Sequence, residues 1–142
     1  MKKYELTEET KTLTDGTVLH RIRALMDISR YDVKSGDLGG WIKKYDNLSQ
    51  YGDAWVSGDA EVSDNARVFG DAWVSGDAWV FGDAWVFGDA RVFGNAWVFG
   101  DAEVYGNARV SGNARVSDNA RVFGDAWVFG DAWVFEIGRA HV

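Results

Sequence analysis

The sequence contains no proline and no cysteine, and its 142 residues include only two methionines and two histidines. The absence of cysteine excludes disulfides and thiolate metal sites, and it is compatible with the cytoplasm. No apolar run approaches the length of a membrane-spanning helix. Residues 1–9 include no apolar segment typical of a secretory signal. We therefore expect a cytoplasmic protein that does not associate with membranes.

Charge is unevenly distributed along the chain, whose formal net charge is −7. Residues 1–51 carry nine basic and eight acidic side chains, whereas residues 52–135 carry five arginines against thirteen acidic side chains. An acidic surface repels the nucleic-acid backbone and anionic lipid. Nucleic acid is therefore not an expected partner either.

Residues 52–135 form fourteen consecutive six-residue repeats, of which Gly-Asp-Ala-Trp-Val-Phe is a common form. Alanine recurs every six residues from Ala54 to Ala132, and valine from Val56 to Val134. The alternation Ala-x-Val-x predicts a short strand with alanine and valine on one side. The Gly-Asp or Gly-Asn pair that follows predicts a turn. Parallel coiling is the expected solution, because each strand then stacks on an equivalent repeat one coil away.

The predicted fold is all-β: one parallel β-helix over residues 38–135, regular from residue 52. Three repeats per coil would give a triangular prism that rises about 4.8 Å per coil, with valine inside and alanine near the corners. Residues 1–37 are predicted to form a small β cap with a hairpin around Asp15 and Gly16. When the six-residue period is extended toward the N terminus, Ile42 and Leu48 fall at the alanine position. Residues 40–51 are therefore expected to be an imperfect first coil.

The repeats resemble the hexapeptide-repeat proteins that form left-handed parallel β-helices. In those proteins a small residue follows an aliphatic residue by four positions, as Ala60 follows Val56. The left hand is implied by this resemblance alone. The run Asp-Val-Lys-Ser-Gly-Asp-Leu-Gly-Gly-Trp-Ile at 32–42 and Asn-Leu-Ser at 47–49 are similar to the opening of YdcK-type repeat proteins of bacteria and their phages. That second resemblance implies a fold rather than an activity, and it leaves a phage particle as an alternative location.

Catalysis finds little support in the sequence. Many hexapeptide-repeat proteins are acyltransferases, which rely on a histidine in or near the coils and on a loop insertion. The repeats here contain neither; His20 lies in the predicted hairpin and His141 in the C-terminal tail. A general base also needs a positioned partner. We predict a protein that is not an enzyme and binds no cofactor, with an inactive or regulatory relative of those acyltransferases as the alternative.

Carboxylates recur at the predicted corners, as at Asp53 and Asp71. We interpret them as turn caps and stacked side-chain ladders rather than as a metal site. Asparagine replaces aspartate at several corners, including Asn95, Asn107 and Asn113, which a calcium-binding column would not favour. No metal site is predicted.

Aromatic side chains occupy many of the positions that should face outward. Grouping every third repeat gives three faces, and their exposed aromatic area exceeds what a soluble monomer usually tolerates. Aromatic and arginine side chains suit a protein interface. We expect the chain to bind copies of itself, as a dimer, trimer or higher oligomer; an unidentified protein or glycan is the alternative partner. The candidate interaction residues are Trp55, Trp73, Trp79, Trp85, Trp97, Trp127, Trp133, Phe87, Phe99 and Phe135.

The tail at residues 136–142, Glu-Ile-Gly-Arg-Ala-His-Val, fits no repeat. It resembles the translation of a common sequencing-library adapter, so we expect a cloning or sequencing artefact and a natural chain that extends beyond Phe135. A natural irregular cap is the alternative.

Overall fold

The computed structural model describes residues 2–136 and 139–141 and is built from short β-strands. Two 3-10 helices, Ser29–Tyr31 and Tyr45–Asn47, interrupt the N-terminal part. Three strands precede the regular repeats: β1 (Tyr4–Thr12), β2 (Val18–Ala24) and β3 (Leu38–Ile42). The repeats then contribute two-residue strands: β4 (Trp55–Val56), β5 (Glu61–Val62), β6 (Arg67–Val68), β7 (Trp73–Val74), β8 (Trp79–Val80), β9 (Trp85–Val86), β10 (Arg91–Val92), β11 (Trp97–Val98), β12 (Glu103–Val104), β13 (Arg109–Val110), β14 (Arg115–Val116), β15 (Arg121–Val122) and β16 (Trp127–Val128), followed by β17 (Trp133–Glu136) and β18 (Arg139–His141).

The strands stack into three sheets, each joining every third strand of the repeat region. Sheet A is β1-β2-β3-β5-β8-β11-β14-β17-β18, sheet B is β4-β7-β10-β13-β16, and sheet C is β6-β9-β12-β15. Pairing within the repeats is parallel and in register; Trp97, for example, pairs with Trp79 on one side and Arg115 on the other. The described chain is thus an all-β parallel solenoid of about five turns, as predicted, with the predicted grouping of every third repeat.

Successive coils are joined by a repeating set of backbone hydrogen bonds. In the repeat that contains Trp97, the N–H groups of Asn95, Trp97 and Phe99 donate to carbonyl oxygens of the next coil at 2.8–3.0 Å. The alanine N–H instead closes the corner, as Ala102 donates to the carbonyl of Phe99. Two-residue strands are therefore sufficient, because bonds outside the strands extend the ladder into the corners.

The interior contains one valine and one alanine from each repeat, because alternation places both on the same side of every strand. Valines from Val56 to Val116 are fully buried, and so are alanines from Ala54 to Ala120. Ile42 and Leu48 continue this core toward the N terminus.

The first coil has a different register from the one that the six-residue period predicted. Ile42 pairs with Val62, and Leu48 forms a bridge with Val68, so both occupy the valine position rather than the alanine position. The predicted assignment to the alanine position was wrong. The spacing here is twenty residues instead of eighteen, because Leu48 and the next inward residue, Val56, are eight residues apart, whereas Ile42 and Leu48 keep the usual six. The larger aliphatic side chains thereby fill the interior.

Corner geometry explains why glycine recurs at the start of most repeats. Gly112 has a φ of +64°, and a Cβ added there would lie 2.8 Å from the nitrogen of Gly130 one coil on. Glycine meets both demands, since it tolerates a positive φ and permits close backbone approach. Asp64 and Asp118 occupy the same repeat position with φ of 54° and 56°, in two copies of Ser-Asp-Asn-Ala-Arg-Val.

The N-terminal strands extend sheet A beyond the first coil. β1 pairs antiparallel with β2, β2 pairs antiparallel with β3, and β3 pairs in parallel with β5. Polar side chains satisfy carbonyls of the first coils that no preceding strand reaches. The Lys3 ammonium donates to Ala54 O at 2.6 Å and to Gly52 O at 3.3 Å, and the Asn47 amide donates to Ala66 O at 2.8 Å.

At the other end, β17 pairs antiparallel with β18, so residues 139–141 extend sheet A there as well. Residues 137, 138 and 142 lie outside the described residues. The prediction that residues 136–142 are an artefact falls partly on them and stays a prediction. Among the residues that the structure describes, β15 and β16 each have a neighbour on one side only.

Candidate functional site

The candidate interaction surface is formed by the side chains that precede and follow valine in each repeat. Both positions point away from the interior because valine points into it. Residues one coil apart share a position, so they form columns that run along each sheet. Their geometry differs among the three sheets.

Sheet A carries the most regular tryptophan pair. The rings of Trp79 and Trp97 stack with centroids 5.1 Å apart and planes 4° apart. The Arg115 guanidinium lies 4.5 Å from the centroid of Trp97, on the next coil. Beside them Phe81 and Phe99 stack at 4.9 Å. Much of this aromatic area is therefore covered within the chain, although Trp79 remains 38% exposed.

Sheet C carries a continuous ladder of single rings. Phe69, Phe87, Tyr105 and Phe123 stack in sequence with centroid distances of 4.8, 4.9 and 5.4 Å. Such offset stacks stabilise neighbouring coils beyond the area they bury. The exposed side of the ladder is bordered by Trp85, which is 42% exposed.

Sheet B is covered near its start by N-terminal residues, which corrects one predicted surface residue. Trp55 is 1% exposed and packs edge-on against Tyr4 at 6.3 Å, so it belongs to the core. Trp73 is half-buried beneath Tyr31, with ring centroids 4.5 Å apart. The Arg91 guanidinium lies 5.6 Å from the ring of Trp73. Contacts with residues that are distant in the sequence therefore cover both tryptophans.

Ion pairs hold this N-terminal segment against sheet B. The Arg30 guanidinium lies 3.3 Å from a carboxylate oxygen of Asp71 and 2.8 Å from one of Asp89. The Tyr31 hydroxyl donates to the carbonyl of Asp71. Burial raises the pKa of Tyr31, while the nearby Arg30 and Arg91 lower it. Tyr31 therefore stays protonated and able to donate at neutral pH.

Within the regular repeats, the most exposed aromatic side chains lie on β16 and β17 and at the corners that follow β15 and β16. Trp127 is 59% exposed and Trp133 is 45% exposed. Their indole N–H groups donate to Ser111 Oγ and Ser117 Oγ at 3.1 and 2.9 Å, which fixes both rings. Two further residues of this patch were not among the candidates, although their columns were evident in the repeat pattern: Phe123, 55% exposed, and Phe129, 58% exposed.

The remaining candidates, Trp97, Phe87, Phe99 and Phe135, are half-buried. The first three stack within their columns. We call the exposed set Phe123, Trp127, Phe129 and Trp133 the distal aromatic patch. It surrounds the last coil, since Trp127 and Phe129 lie on sheet B, Phe123 on sheet C and Trp133 on sheet A.

Two grooves flank the N-terminal part of the solenoid. The hairpin groove, about 440 Å³, lies between the β1–β2 turn and sheet A, with Asp15 on the turn and Glu61, Asp64 and Trp79 on the coils. The tyrosine groove, about 610 Å³, lies beside sheet C and is lined by aromatic and polar residues. Its lining includes Tyr45, Tyr51, Arg67, Phe69 and Trp85.

The corner carboxylates participate in side-chain ladders, as the repeat pattern predicted. The Asn95 amide donates to Asn113 Oδ1 at 3.4 Å, and the Asn113 amide donates to Asp131 Oδ1 at 3.3 Å. Asparagine thus separates carboxylates that would otherwise repel. Over the described residues, no group of three or more histidine, aspartate or glutamate side chains is placed to hold a metal ion. His20 lies on β2, opposite Thr10 and Ile42.

The fold and its columns define a parallel β-solenoid repeat protein. The family described as "YdcK Beta solenoid repeat" matches the chain at residues 60–76, 102–117 and 114–130. These matches confirm that the chain resembles YdcK-type β-solenoid repeat proteins. No curated protein matches the chain. Within the described residues, none of the helices is long and apolar enough to span a membrane.

Proposed function

We propose that the protein is a non-enzymatic solenoid that assembles with copies of itself through the distal aromatic patch. The observation that carries this proposal is the exposure of four large aromatic side chains, between 45% and 59%, around the last coil, of which Trp127 and Phe129 share sheet B. On the preceding coils the equivalent rings pack against side chains of adjacent coils or are covered by N-terminal residues, and the most exposed of them, Trp79 and Trp85, reach only 38% and 42%. The distal patch therefore offers aromatic area that intramolecular stacking leaves open.

The size of the patch is compatible with a protein interface. A large aromatic side chain buries about 150–250 Å² when fully covered, and a standard interface buries about 800 Å² per partner. Trp127 and Phe129 share sheet B and are each a little over half exposed, so together they would contribute about 200–300 Å² to the apolar centre of such an interface, and surrounding side chains would supply the rest. A second copy is the favoured occupant because it presents the same flat rings in the same spacing, as a closed symmetric interface requires.

Charge sets the conditions under which assembly should occur. The chain carries a net charge of −7, so two copies repel each other at low ionic strength. Salt screens this repulsion and leaves the apolar contact in place. Association should therefore strengthen, not weaken, as salt is added.

The proposal includes the finer features of the fold. The coil path is left-handed and the cross-section triangular, as the resemblance to hexapeptide-repeat proteins implies. The N-terminal part of the chain acts as a cap, since Lys3, just before β1, and Asn47, in the second 3-10 helix, satisfy carbonyls that a preceding coil would otherwise reach. A closed N-terminal end restricts assembly to the sides and the distal end. An experimental structure at side-chain resolution tests the hand directly, and a right-handed path would contradict it.

A paired substitution tests the interface. The double variant Trp127→Ser, Phe129→Ser should weaken self-association about tenfold or more, because central aromatic residues dominate interface energies. Arg109→Ser is the matched control, since Arg109 is an exposed residue on the same face one coil earlier. Sedimentation velocity measures both. Association of the double variant equal to that of the parent chain would contradict a role for the patch.

The tyrosine groove favours carbohydrate binding as a second candidate function. Tyr51 is 85% exposed, Trp85 is 42% exposed, and Arg67 offers hydrogen-bond donors beside them. Flat rings beside planar polar groups suit the apolar faces and hydroxyls of a sugar. Binding on a glycan array, lost with Arg67→Ala and retained with Arg121→Ala, would support this function. Arg121 is the matched control because it lies in an identical repeat.

A further inference from the structure

The hairpin groove has an aromatic floor formed by Trp79 and Phe81. Trp79 stacks on Trp97 of the next coil, so its other ring face is directed toward the preceding coil. There its register partner is Glu61, a carboxylate rather than another ring. Phe81 packs edge-on beside Trp79, with ring centroids 6.4 Å apart. The groove therefore offers an indole face with a carboxylate on the neighbouring coil.

The charge of the groove is negative. Asp15, Glu61 and Asp64 line it, and none of its described lining residues is basic. The Lys11 ammonium lies 2.6 Å from Glu61 Oε2, which neutralises one of the three carboxylates. Hydrogen bonds from Thr17 lower the pKa of Asp15, so this carboxylate stays ionised at neutral pH. The charges of Asp15 and Asp64 remain beside the aromatic floor, and Lys43 lies near enough to Asp15 to contribute to its lowered pKa.

Two outward-facing indole rings of the chain already stack with guanidinium groups. The guanidinium of Arg115 lies over Trp97 at 4.5 Å, and that of Arg91 lies over Trp73 at 5.6 Å. Guanidinium stacks on indole because the ring face is electronegative and both groups are planar. Within the described residues, no guanidinium of the chain lies over Trp79, whose register partner on the preceding coil is Glu61.

We propose that the hairpin groove binds an arginine side chain of a basic partner peptide. The guanidinium would lie against the part of the Trp79 ring that lines the groove and donate to Asp64 and Asp15, while its methylene stem would pack along Phe81. Arginine suits the site better than lysine, because its planar fork can stack and donate to carboxylates at the same time. The acidic solenoid complements a basic partner. The inference does not depend on self-association, since it concerns a different surface.

The matched repeats of the chain supply a sharp test. Asp64 and Asp118 lie in identical Ser-Asp-Asn-Ala-Arg-Val segments with nearly equal φ, but only Asp64 lines the groove. Asp64→Asn and Asp118→Asn therefore make the same change of charge at the same kind of corner. Asparagine tolerates the positive φ, so both variants should fold.

The probe is the peptide acetyl-Gly-Arg-Gly-amide, titrated against the protein while the indole N–H signal of Trp79 is followed by NMR. The control peptide replaces arginine by citrulline, which has nearly the same shape but no charge. We expect a saturable shift with the arginine peptide and little with citrulline. Asp64→Asn should weaken binding about three- to tenfold, and Asp118→Asn should leave it unchanged.

Three results would overturn the proposal. One is the absence of a saturable shift with the arginine peptide up to about 10 mM. This limit is used because a single-residue contact is expected to bind with a dissociation constant of about 1 mM. Another is equal binding of the citrulline peptide, which would make the groove merely apolar. The third is equal weakening by Asp64→Asn and Asp118→Asn, which would indicate non-specific attraction to an acidic protein.

Discussion

The ammonium of Lys3 donates to the carbonyl of Ala54 at 2.6 Å, where a preceding coil would place a backbone N–H. In the next coil the equivalent carbonyl, Ala72 O, accepts from the N–H of Trp55 at 3.0 Å. A side chain thus completes the hydrogen-bond ladder from outside the repeats. Lys3 is 2% exposed, so both partners are removed from water.

Replacing Lys3 should show how much this contact contributes to the free energy of unfolding. Lys3→Met keeps most of the side-chain volume but leaves Ala54 O without a partner. We expect a loss of about 1–3 kcal/mol in the free energy of unfolding, the usual cost of an unsatisfied buried acceptor. Urea denaturation measures it, with Lys34→Met, an exposed lysine, as control. Equal stability of the Lys3 and Lys34 variants would show that the contact contributes nothing.

The same lysine predicts how stability depends on pH. Burial lowers the pKa of Lys3 from 10.5 to about 8, although Asp53 and Asp71 oppose the shift. Between these values the unfolded chain binds more protons than the folded chain, so stability should rise with pH from about 8. Above pH 10 the opposite effect begins, because burial raises the pKa of Tyr4 and the unfolded chain loses that proton first.

Chemical denaturation at several pH values between 8 and 10 checks this dependence. The rise should disappear in Lys3→Met, which has no titrating group at this position. A rise of the same size in that variant would assign the effect to other residues.

Substitutions at adjacent positions should separate the interior from the surface. Val86 is fully buried and Trp85 is 42% exposed. Val86→Asp should destabilise by about 4 kcal/mol or more, since it places an unpaired charge in a dry interior. Trp85→Ser should cost far less. Thermal unfolding compares them, and a reversed order would mean that the faces are wrongly assigned.

Substitutions at two corner glycines can distinguish the cost of a positive φ from the cost of a steric clash between coils. Gly112 and Gly124 both have a φ of +64°. A Cβ would meet Gly130 N at 2.8 Å at Gly112, but no atom within 4 Å at Gly124. Gly124→Ala should cost about 1–2 kcal/mol for conformation alone, and Gly112→Ala should cost clearly more. Equal losses of unfolding free energy would show that the coils separate without penalty.

The repeat region was predictable because every repeat makes the same contacts. Valine and alanine recur at six residues, and alternation alone places both inside. Grouping every third repeat then gave the observed partners, such as Trp79 and Trp97. The columns and their stacking followed from that grouping.

The N-terminal part was less predictable because its contacts join residues far apart in sequence. Tyr4 covers Trp55, so a residue predicted to be on the surface lies in the core. The two extra residues of the first coil moved Ile42 and Leu48 to the valine position. Neither effect has a periodic signal. The Lys3 contact likewise depends on where the β1 strand enters the fold.

The most direct test of the central claim is sedimentation of the unmodified chain over a range of concentrations at two ionic strengths. About 0.01 M and about 0.15 M are suitable, since the Debye length falls from about 30 Å to about 8 Å between them. The account predicts concentration-dependent association that is stronger at the higher ionic strength. A single monomeric species at high micromolar concentration in both buffers would contradict it, and would mean that the aromatic columns stack only within the chain.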